Sequence, residues 1–429
     1  MSEVLDNVLL IGSGGREHAL AAALVRSERV RNLHAAPGNP GIAQIATCHE
    51  LDVTDPAAVV AVAKHVDADL VVIGPEVPLV AGAVDALEAD GRPAFGPLAD
   101  AARLEGSKAF LKEVLAAGGV PTARYAAFTA GQEEAGFAFL ETLPGLYVIK
   151  TDGLAAGKGV IVTESMADAR TAVREYLSGA AFGDAGTTCV IEEGMTGPEL
   201  SVFALTDGNE VFTFAPAQDH KRIGDGDTGP NTGGMGAYSP VPVATAEIVE
   251  QVVRDAVRPT LAELQRRGIT YRGLLYAGLM LTPEGPKIIE YNVRFGDPET
   301  QVVVPRVASD LALHCLESAH GALVTPIETV PDAAVTVVLA AEGYPGSVRT
   351  GDVIEGLDAA AALPGVQIFH AGTARSRQGE LVTAGGRVLN VTAMAPTFDE
   401  ARARAYAAAD LISWPGMQFR RDIGARAGA

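Results

Sequence analysis

The sequence predicts a mixed α/β protein with several domains, α/β at its start and α+β in later parts. Three observations carry this prediction. Short apolar runs alternate with helical patterns over the first hundred residues, glycine-rich turns join strand pairs in the middle, and short strands with turn signals follow from about Asp332. The chain has 429 residues, 48% of them hydrophobic, which is enough for several buried cores.

Charge and cysteine content narrow the class of protein. The formal net charge of -20 argues against binding to nucleic acid or to an anionic membrane surface, because both attract positive fields. Cys48, Cys189 and Cys315 lie far apart without metal-ligand spacing, which indicates reduced thiols and a cytoplasmic protein. The N-terminus lacks a basic region before its apolar run, and no run reaches membrane-spanning length, so we expect a first strand there.

The first hundred residues predict a parallel sheet with crossover helices. "NVLLIG" is a strand and "GREHALAAALVRS" is the helix that follows it. Ligands bind at the carboxyl ends of such strands, where "GSGGRE", "APGNPG" and "GPE" fall. We expect backbone N–H groups at a helix N-terminus to hold a phosphate here. The candidate residues are Gly12, Gly14, Gly15, Arg16, Glu17, Gly38, Asn39 and Pro40.

An ordinary tight turn is the alternative for "GSGGRE". The motif is an imperfect dinucleotide fingerprint, because Glu17 stands at the third glycine position. The second strand also ends without an acidic residue, since "HAAPGNPG" offers only Asn39. Both departures argue against NAD as the ligand.

"KTDGLAAGKGV" indicates a nucleotide-phosphate loop between two strands. Lys150 ends the first strand, and a second lysine, Lys158, lies among Gly153, Gly157 and Gly159. Lysines beside exposed backbone amides suit the triphosphate of ATP. The spacing is not that of a P-loop. A flexible hairpin with a solvated lysine is the alternative interpretation.

Three carboxylates follow the next strands. Glu192 and Glu193 end a strand, and Glu199 comes after a turn. Carboxylates there could accept hydrogen bonds from an adenine amino group and from ribose hydroxyls. From residue type alone, a charged strand end is the better interpretation.

"IIEYNVRFGDPE" predicts a metal site. Glu290, Asn292 and Arg294 fall on one face of a strand, because side chains alternate along it. Carboxylate and amide oxygens suit Mg²⁺, which shares its coordination with phosphates, and Arg294 could hold phosphate oxygens. The alternative is the polar outer face of an edge strand, which the turn-forming "FGDPE" directly afterwards makes less attractive.

Taken in order, "GSGGREHAL", "APGNPG", "LEGSKAF", "IKTDGLAAGKGVIV", "QDHKRIGDGDTGPNTGGMGAYSP" and "YNVRFGDPETQ" resemble the phosphoribosylamine–glycine ligase family of the ATP-grasp superfamily. The resemblance covers essentially the whole chain. It implies an N-terminal domain on the phosphoribosylamine side (1–105), a first ATP-grasp subdomain with a mobile nucleotide lid (106–193), a second with the metal and catalytic face (194–331), and a small β-rich C-terminal domain (332–429).

The resemblance also implies the second step of de novo purine synthesis. ATP, glycine and 5-phosphoribosylamine would give glycinamide ribonucleotide, ADP and phosphate through a glycyl phosphate. The partners implied are these small molecules, and the resemblance is compatible with a monomer that contacts neighbouring purine-pathway enzymes transiently. Mg²⁺ or Mn²⁺ would be the metal, held only by Glu290 and Asn292, because the preceding strand "LLYAGLML" has no carboxylate.

Further roles follow from the same resemblance. Lys108 and Lys150 would hold the nucleotide phosphates, with Lys158 covering them, and Arg294 would stabilise the transferring phosphoryl group. The remaining catalytic candidates are Lys221, Asp219 and Asp297, and either carboxylate could hold the glycine amine. The glycine-rich loop from His220 to Pro240 would close on the substrates through Gly233, Gly234 and Met235, and exclude water from the acyl phosphate.

Three other classes of protein remain as alternatives. Another ATP-grasp ligase or carboxylase of purine metabolism would share the nucleotide site but not the "HKRIGDGDTGPNTGGMG" loop. An NAD-dependent oxidoreductase is suggested only by the first strand-to-helix turn. A non-catalytic nucleotide-binding regulator would not need a metal face together with a closing loop.

Overall fold

The structure, a computed structural model, describes residues 4–154, 159–179 and 188–427. Its strands are β1 (Leu5–Gly12), β2 (Val30–Pro37), β3 (Thr47–Cys48), β4 (Leu70–Ile73), β5 (Ala94–Phe95), β6 (Tyr125–Thr129), β7 (Tyr147–Thr151), β8 (Val160–Thr163), β9 (Thr188–Glu193), β10 (Glu199–Thr206), β11 (Val211–Thr213), β12 (Gln218–Asp219), β13 (Arg222–Gly224), β14 (Thr228–Asn231), β15 (Gly236–Ser239), β16 (Gly273–Thr282), β17 (Gly285–Asn292), β18 (Ala333–Ala340), β19 (Val366–His370), β20 (Thr373–Arg375), β21 (Leu381–Thr383) and β22 (Arg387–Ala395). Its α-helices are α1 (Gly15–Leu24), α2 (Pro56–His65), α3 (Glu76–Val80), α4 (Ala83–Ala89), α5 (Ala99–Gly106), α6 (Lys108–Ala117), α7 (Glu133–Leu140), α8 (Met166–Leu177), α9 (Ala246–Val252), α10 (Arg258–Arg266), α11 (Thr300–Val303), α12 (Leu311–His320), α13 (Leu357–Ala361) and α14 (Phe398–Ala409).

The N-terminal sheet is parallel, as the alternating pattern predicts. Its strand order is β3-β2-β1-β4-β5, with β1 paired in parallel to β2 and β4. All four residues of β4 are buried, which agrees with the continuous apolar run of a strand covered on both faces. The turns after β1, β2 and β4 therefore lie at one edge of this sheet.

Two four-stranded sheets form the middle of the chain. The first has the order β6-β9-β7-β8, and the second has the order β11-β10-β16-β17. The chain leaves the first sheet after Glu193 and enters the second at Glu199. The two strands read from "TTCVIEEGMTGPELSVFALT" are therefore present, and each belongs to a different sheet.

The helical segment formed by α9 and α10 is interrupted. Between α9 and α10 the segment Val253–Val257 forms a π-helical turn. Pro259 follows at the start of α10, where its missing N–H removes one donor from the helix ladder. Within the described ranges, no helix combines the length and apolar character that a bilayer crossing needs.

The C-terminal sheet takes in strands from an earlier part of the chain. Its order is β12-β15-β18-β22-β19, and α14 packs on β18 and β22. The strands β12 and β15 flank the glycine-rich loop, which by sequence position falls within 194–331. Register pairs such as Gly236 with Val337 fix these flanks to the C-terminal sheet. The loop is thus an excursion from that sheet, and it contains the short hairpin of β13 and β14.

Two buried histidines join the N-terminal domain to the C-terminal sheet. His18 on α1 accepts a hydrogen bond at its Nδ1 from the backbone N–H of His370, at 2.8 Å. Burial, and then the neighbouring His370, lower the pKa of His18 to about 3. Burial, and then Arg375, lower the pKa of His370 to about 4. Both rings are therefore neutral in the folded protein at neutral pH.

This contact makes the fold acid-sensitive. The folded pKa of each ring lies below the value of about 6.5 in the unfolded chain, so the stability is present above pH 6.5 and is lost as pH falls towards 4. We expect His18 alone to cost roughly 2–3 kcal/mol of unfolding free energy between pH 7 and pH 4.5. His18→Asn keeps an acceptor but does not titrate, so urea titrations should show a smaller loss for it. An equal loss in both proteins would contradict this assignment.

Candidate active site

The loops at the carboxyl edge of the N-terminal sheet meet as predicted. The backbone N–H of Gly38 donates to the carbonyl of Gly12 at 3.0 Å. The Asn39 amide donates to the carbonyl of Ser13 at 2.8 Å and to that of His370 at 2.9 Å. The turn after β1, the turn after β2 and the C-terminal sheet therefore form one surface.

The glycines after β1 make room for a protein side chain. The Gly14 N–H donates to the Glu17 carboxylate at 2.6 Å, and Arg16 pairs with the same carboxylate. A Cβ on Gly12 would lie 2.5 Å from the Glu17 Cγ, and one on Gly74 would lie 2.3 Å from its Oε1. The start of α1, where a phosphate was expected, thus has its own carboxylate cap. A tight turn around Glu17 accounts for much of this glycine pattern.

Gly15 instead lies against the C-terminal sheet. A Cβ there would approach the amide nitrogen of Asn390 to 2.2 Å and that of Gln301 to 2.8 Å. Pro40, which follows Asn39 in the turn after β2, is half-buried. The eight N-terminal candidate residues therefore lie on one surface. Residues of the C-terminal sheet lie on the same surface, and the sequence patterns did not predict them.

Arg294 is held by carboxylates of the N-terminal domain. Its Nε lies 3.2 Å from Glu76, and its Nη2 lies 2.7 Å from Glu105. Although burial raises the pKa of Glu76, the guanidiniums of Arg294 and Arg16 lower it to about 2. Glu76 is the last residue of "GPE" and the first of α3, and Glu105 is the second residue of "LEGSKAF". Both thus lie in motifs that the sequence analysis quoted, but neither was predicted as a site residue.

The predicted metal face is present on β17. Glu290 and Asn292 are half-buried, and the residues between and after them, Tyr291 and Val293, are buried, so the alternation is as predicted. The Asn292 amide oxygen accepts from Arg294 at 3.2 Å. In the described ranges, no group of three or more His, Cys, Asp or Glu side chains could hold a metal by itself. A metal here would need ligands from outside the protein.

Three lysines gather beside this face. Lys150 Nζ donates to the carbonyl of Ile289 at 3.1 Å, and Lys108 Nζ donates to that of Gly153 at 2.8 Å. Burial lowers the pKa of Lys108, although the Glu290 carboxylate opposes this change. Lys112, one helical turn after Lys108 on α6, is the third lysine, and it was not among the predicted site residues.

Glu192 binds lysines in this structure. One carboxylate oxygen lies 2.8 Å from Lys112 Nζ and the other lies 2.8 Å from Lys150 Nζ. Burial raises the pKa of Glu192, but the two ammonium groups outweigh it and the net shift is downward. Glu193 accepts from the backbone N–H of Arg124 at 2.9 Å. Both oxygens of Glu192 are therefore engaged by lysines, and one oxygen of Glu193 is engaged by a backbone N–H.

The turn between β7 and β8 is described only in part. Gly153 has φ +92°, a conformation that favours glycine, and Thr151 N–H donates to the carbonyl of Gly159 at 2.9 Å. Gly157 and Lys158 lie outside the described residues.

Lys221 joins three of the predicted positions. Its Nζ lies 3.0 Å from Asp219 and 3.0 Å from Glu199. Burial opposes the charge, but these carboxylates raise the pKa of Lys221 well above its ordinary value. Tyr276 and Glu299 lie at the same place, with the Tyr276 hydroxyl donating to Glu299 at 2.7 Å, and both were missed.

Asp297 lies on the opposite side, against an arginine from the C-terminal sheet. Arg387 Nη2 is 3.2 Å from the Asp297 carboxylate, and Arg387 Nη1 donates to the carbonyl of Gly233. Burial raises the pKa of Asp297, but Arg387 and Arg16 bring about a net lowering. A Cβ on Gly234 would come within 2.4 Å of Pro298. The two carboxylates considered for the glycine amine therefore have different basic partners.

Met235 is the predicted position that is least accessible. Its side chain is fully buried, and its backbone N–H donates to the carbonyl of His220 at 2.8 Å. Its carbonyl accepts from Val338 N–H at 3.0 Å. Met235 thus connects the loop to the C-terminal sheet, whereas Gly233 lies at the surface.

Comparisons with known proteins agree along the whole chain. Residues 6–105, 106–300 and 334–426 match the N domain, the ATP-grasp (A) domain and the C domain of phosphoribosylglycinamide synthetase. A relative from Mesorhizobium japonicum named phosphoribosylamine–glycine ligase is 52% identical over 419 residues, covering 97% of both proteins. One of the same name from Streptomyces coelicolor is 50% identical and covers 98% of this chain and 99% of its own.

Solved structures give the same picture. The crystal structure of phosphoribosylamine–glycine ligase from Thermotoga maritima superposes with a TM-score of 0.83 at 35% identity, covering 97% of this chain and 99% of that one. A biotin carboxylase from Campylobacter jejuni has a TM-score of 0.74 at 16% identity, covering 97% and 93%, which shows a common fold alone. The fold is thus ATP-grasp, and the chain belongs to the phosphoribosylglycinamide synthetase family.

Proposed function

We propose that this protein ligates glycine to 5-phospho-D-ribosylamine with ATP, giving glycinamide ribonucleotide, ADP and phosphate, in the second step of de novo purine synthesis. The observation that carries the proposal is the full-length similarity to ligases of this name, together with the basic and metal-type groups on one surface. Another ATP-grasp ligase or carboxylase of purine metabolism is the second candidate, supported by the common fold of the carboxylases.

The chemistry requires activation of the glycine carboxylate. Its oxygen attacks the γ-phosphorus of ATP, ADP leaves, and the glycyl phosphate is attacked by the amine of phosphoribosylamine with release of phosphate. The protein contributes position and charge. Lys108 and Lys150 hold the triphosphate, since their ammonium groups lie beside β17. Arg294 faces the transferring phosphoryl group once that group enters the space beside Asn292.

Glu290 and Asn292 would hold Mg²⁺ or Mn²⁺. A carboxylate and an amide oxygen on one strand face fit these ions, which prefer oxygen ligands and take phosphate oxygens and water for the rest. When bound, such an ion neutralises charge on the phosphate oxygens. The opposing strand supports this arrangement, because Gly278 stands opposite Glu290 and leaves space.

In this proposal, the phosphoribosyl group of the substrate binds at the N-terminal loops. Arg16, with its guanidinium near Phe295 and Asp297, supplies the positive charge there. Gly233 and Gly234 approach the same region from the loop. Asp297 or Asp219 would hold the glycine amine.

The domain limits 1–105, 106–193, 194–331 and 332–429 belong to the same proposal. So do a cytoplasmic location and action as a monomer with transient contacts to neighbouring enzymes of the pathway.

A phosphate-release assay tests the function directly. With ATP, Mg²⁺, glycine and phosphoribosylamine all present, phosphate should be released in step with glycinamide ribonucleotide. Omitting either glycine or phosphoribosylamine should reduce the release to background, because both are consumed in the ligation. Release that depends on bicarbonate and not on glycine would favour the carboxylase alternative.

If Glu290 and Asn292 hold the metal, substituting either residue should reduce activity without unfolding the protein. Glu290→Gln and Asn292→Ala should each lower turnover by about 100-fold or more, because charge stabilisation at the phosphates is lost. Glu284→Gln is the matched control, since Glu284 is an exposed carboxylate in the turn before β17 that pairs with Lys287. Near-normal turnover of both variants at saturating Mg²⁺ would reject the assignment.

The N-terminal loops predict a separation of the two substrates. A Cβ on Gly14 would lie 2.8 Å from the Glu17 carboxylate and 3.6 Å from that of Asp297, so Gly14→Val should distort this surface. We expect use of phosphoribosylamine to fail while calorimetry still detects ATP binding, because Lys108 and Lys150 are elsewhere. Loss of ATP binding with phosphoribosylamine use intact would place the nucleotide on the N-terminal sheet.

A further inference from the structure

The glycine hairpin, residues 220–235, cannot hold its own position. It leaves the C-terminal sheet after β12 and returns to it in β15. All six residues of its tip, 225–230, are exposed, and β13 and β14 are only three and four residues long. A two-stranded hairpin without an apolar face is marginal in water. Met235 fixes only the base of the hairpin to the C-terminal sheet, so the position of the tip must come from polar contacts with another part of the chain.

Those contacts come from residues 420–426, a segment near the C-terminus that we call the C-terminal seat. The Arg420 side chain is buried, with 1% exposure. Its Nε and Nη2 donate to the two oxygens of Asp422 at 2.7 and 2.6 Å. Its Nη1 donates to the Asp227 carboxylate at 2.8 Å and to the carbonyl of Arg222 at 3.1 Å. One planar guanidinium thus links the seat to β13 and to the turn of the hairpin, which a lysine could not do in the same geometry.

The seat also binds the turn of the hairpin. Asp422 accepts from the Gly226 backbone N–H at 2.9 Å, and the Arg421 N–H donates to Asp225 at 2.8 Å. Asp227 stands at φ +56°, in a left-handed conformation that its contact with Arg420 helps to hold. These bonds fix the turn at several points, so the tip has one position on the seat.

The base of the hairpin carries groups of the proposed active site. Lys221 reaches Asp219 and Glu199, and its carbonyl accepts from Thr232 N–H at 2.7 Å across the hairpin. Gly233 N–H donates to the Tyr344 hydroxyl at 2.9 Å. Because only a few residues separate tip and base, a tip that leaves the seat changes the orientation of the base.

We propose that Arg420 is a positioning residue: through Asp227 and Asp422 it holds the glycine hairpin so that Lys221 and Gly233 face the substrates. Arg420 acts through these contacts, since its guanidinium nitrogens donate to Asp422, Asp227 and the carbonyl of Arg222. The proposal assigns the C-terminal segment a role in turnover, and this role in turnover rests on the proposed ligase function. The docking of the hairpin is a separate claim that can be measured without any substrate.

The test compares Arg420→Met, Arg420→Lys and Asp227→Asn in the full chain. Asp227→Asn changes an exposed residue and keeps a type that tolerates positive φ, so it keeps the test valid if Arg420→Met does not fold. Arg377→Met is the control, because Arg377 is an exposed arginine in the turn between β20 and β21. Amide hydrogen exchange of residues 222–231 and trypsin cleavage after Lys221 or Arg222 report on docking. The kcat and the ATP Kd report on function.

We expect hairpin exchange and cleavage to rise about tenfold or more in Arg420→Met and Asp227→Asn, because local opening exposes the amides. The kcat should fall about tenfold with the ATP Kd within about twofold, since Lys108 and Lys150 do not touch the hairpin, and Arg420→Lys should recover part of both. Unchanged exchange would overturn the docking claim, and faster exchange with unchanged kcat would overturn the positioning claim. An inactive native protein with the expected exchange pattern would instead count against the ligase function.

Discussion

The guanidinium of Arg294 is the group on which the arrangement of the active site depends. It lies two residues after the strand that carries Glu290 and Asn292, and it is bound by Glu76 and Glu105 from the N-terminal domain. Removing an arginine from water is expensive, and here two carboxylates and two oxygen acceptors compensate for it. The same ion pairs therefore set the distance between the metal face and the N-terminal loops.

The charge distribution explains how an acidic protein can receive anionic substrates. The chain carries a net charge of -20, yet Lys108, Lys112 and Lys150 lie together beside β17. Glu192, between two of them, keeps their charge compatible with burial, because it lowers the mutual repulsion of the ammonium groups. A triphosphate would meet the positive charge of these lysines, although the net charge of the whole chain is negative.

The sequence predicts the strands and the loops at their ends, because period and glycine placement are local properties. The alternation of Glu290, Asn292 and Arg294 is of this kind, and so is the parallel sheet that gathers Gly12, Gly38 and their neighbours. The partners of these residues are not local. Arg387 and Asn390 reach the candidate site from β22 and Tyr344 reaches it from the loop after β18. Single arginines, asparagines and tyrosines have no distinguishing pattern in a sequence.

The glycine motifs show the same limit in another way. A glycine in a sequence can indicate that a side chain would not fit at that position, but it does not show which neighbouring group occupies the space. After β1 that group is the Glu17 side chain. In the glycine-rich loop, Gly234 leaves space for Pro298 and Gly233 leaves space for Arg387. Spacing alone would separate these cases only if the contact partner were already known.

The pairing of β15 with β18 means that the modules of this protein are interleaved in sequence. The C-terminal sheet is completed by a segment that precedes it by nearly a hundred residues, since Gly236 pairs with Val337. A polypeptide ending before Ala333 would keep β12 on one side of β15 but leave its other edge without β18, and such an open edge can recruit a strand from another molecule. During synthesis the glycine hairpin can therefore complete its folding unit only after the last quarter of the chain, which begins near Ala333, has been made.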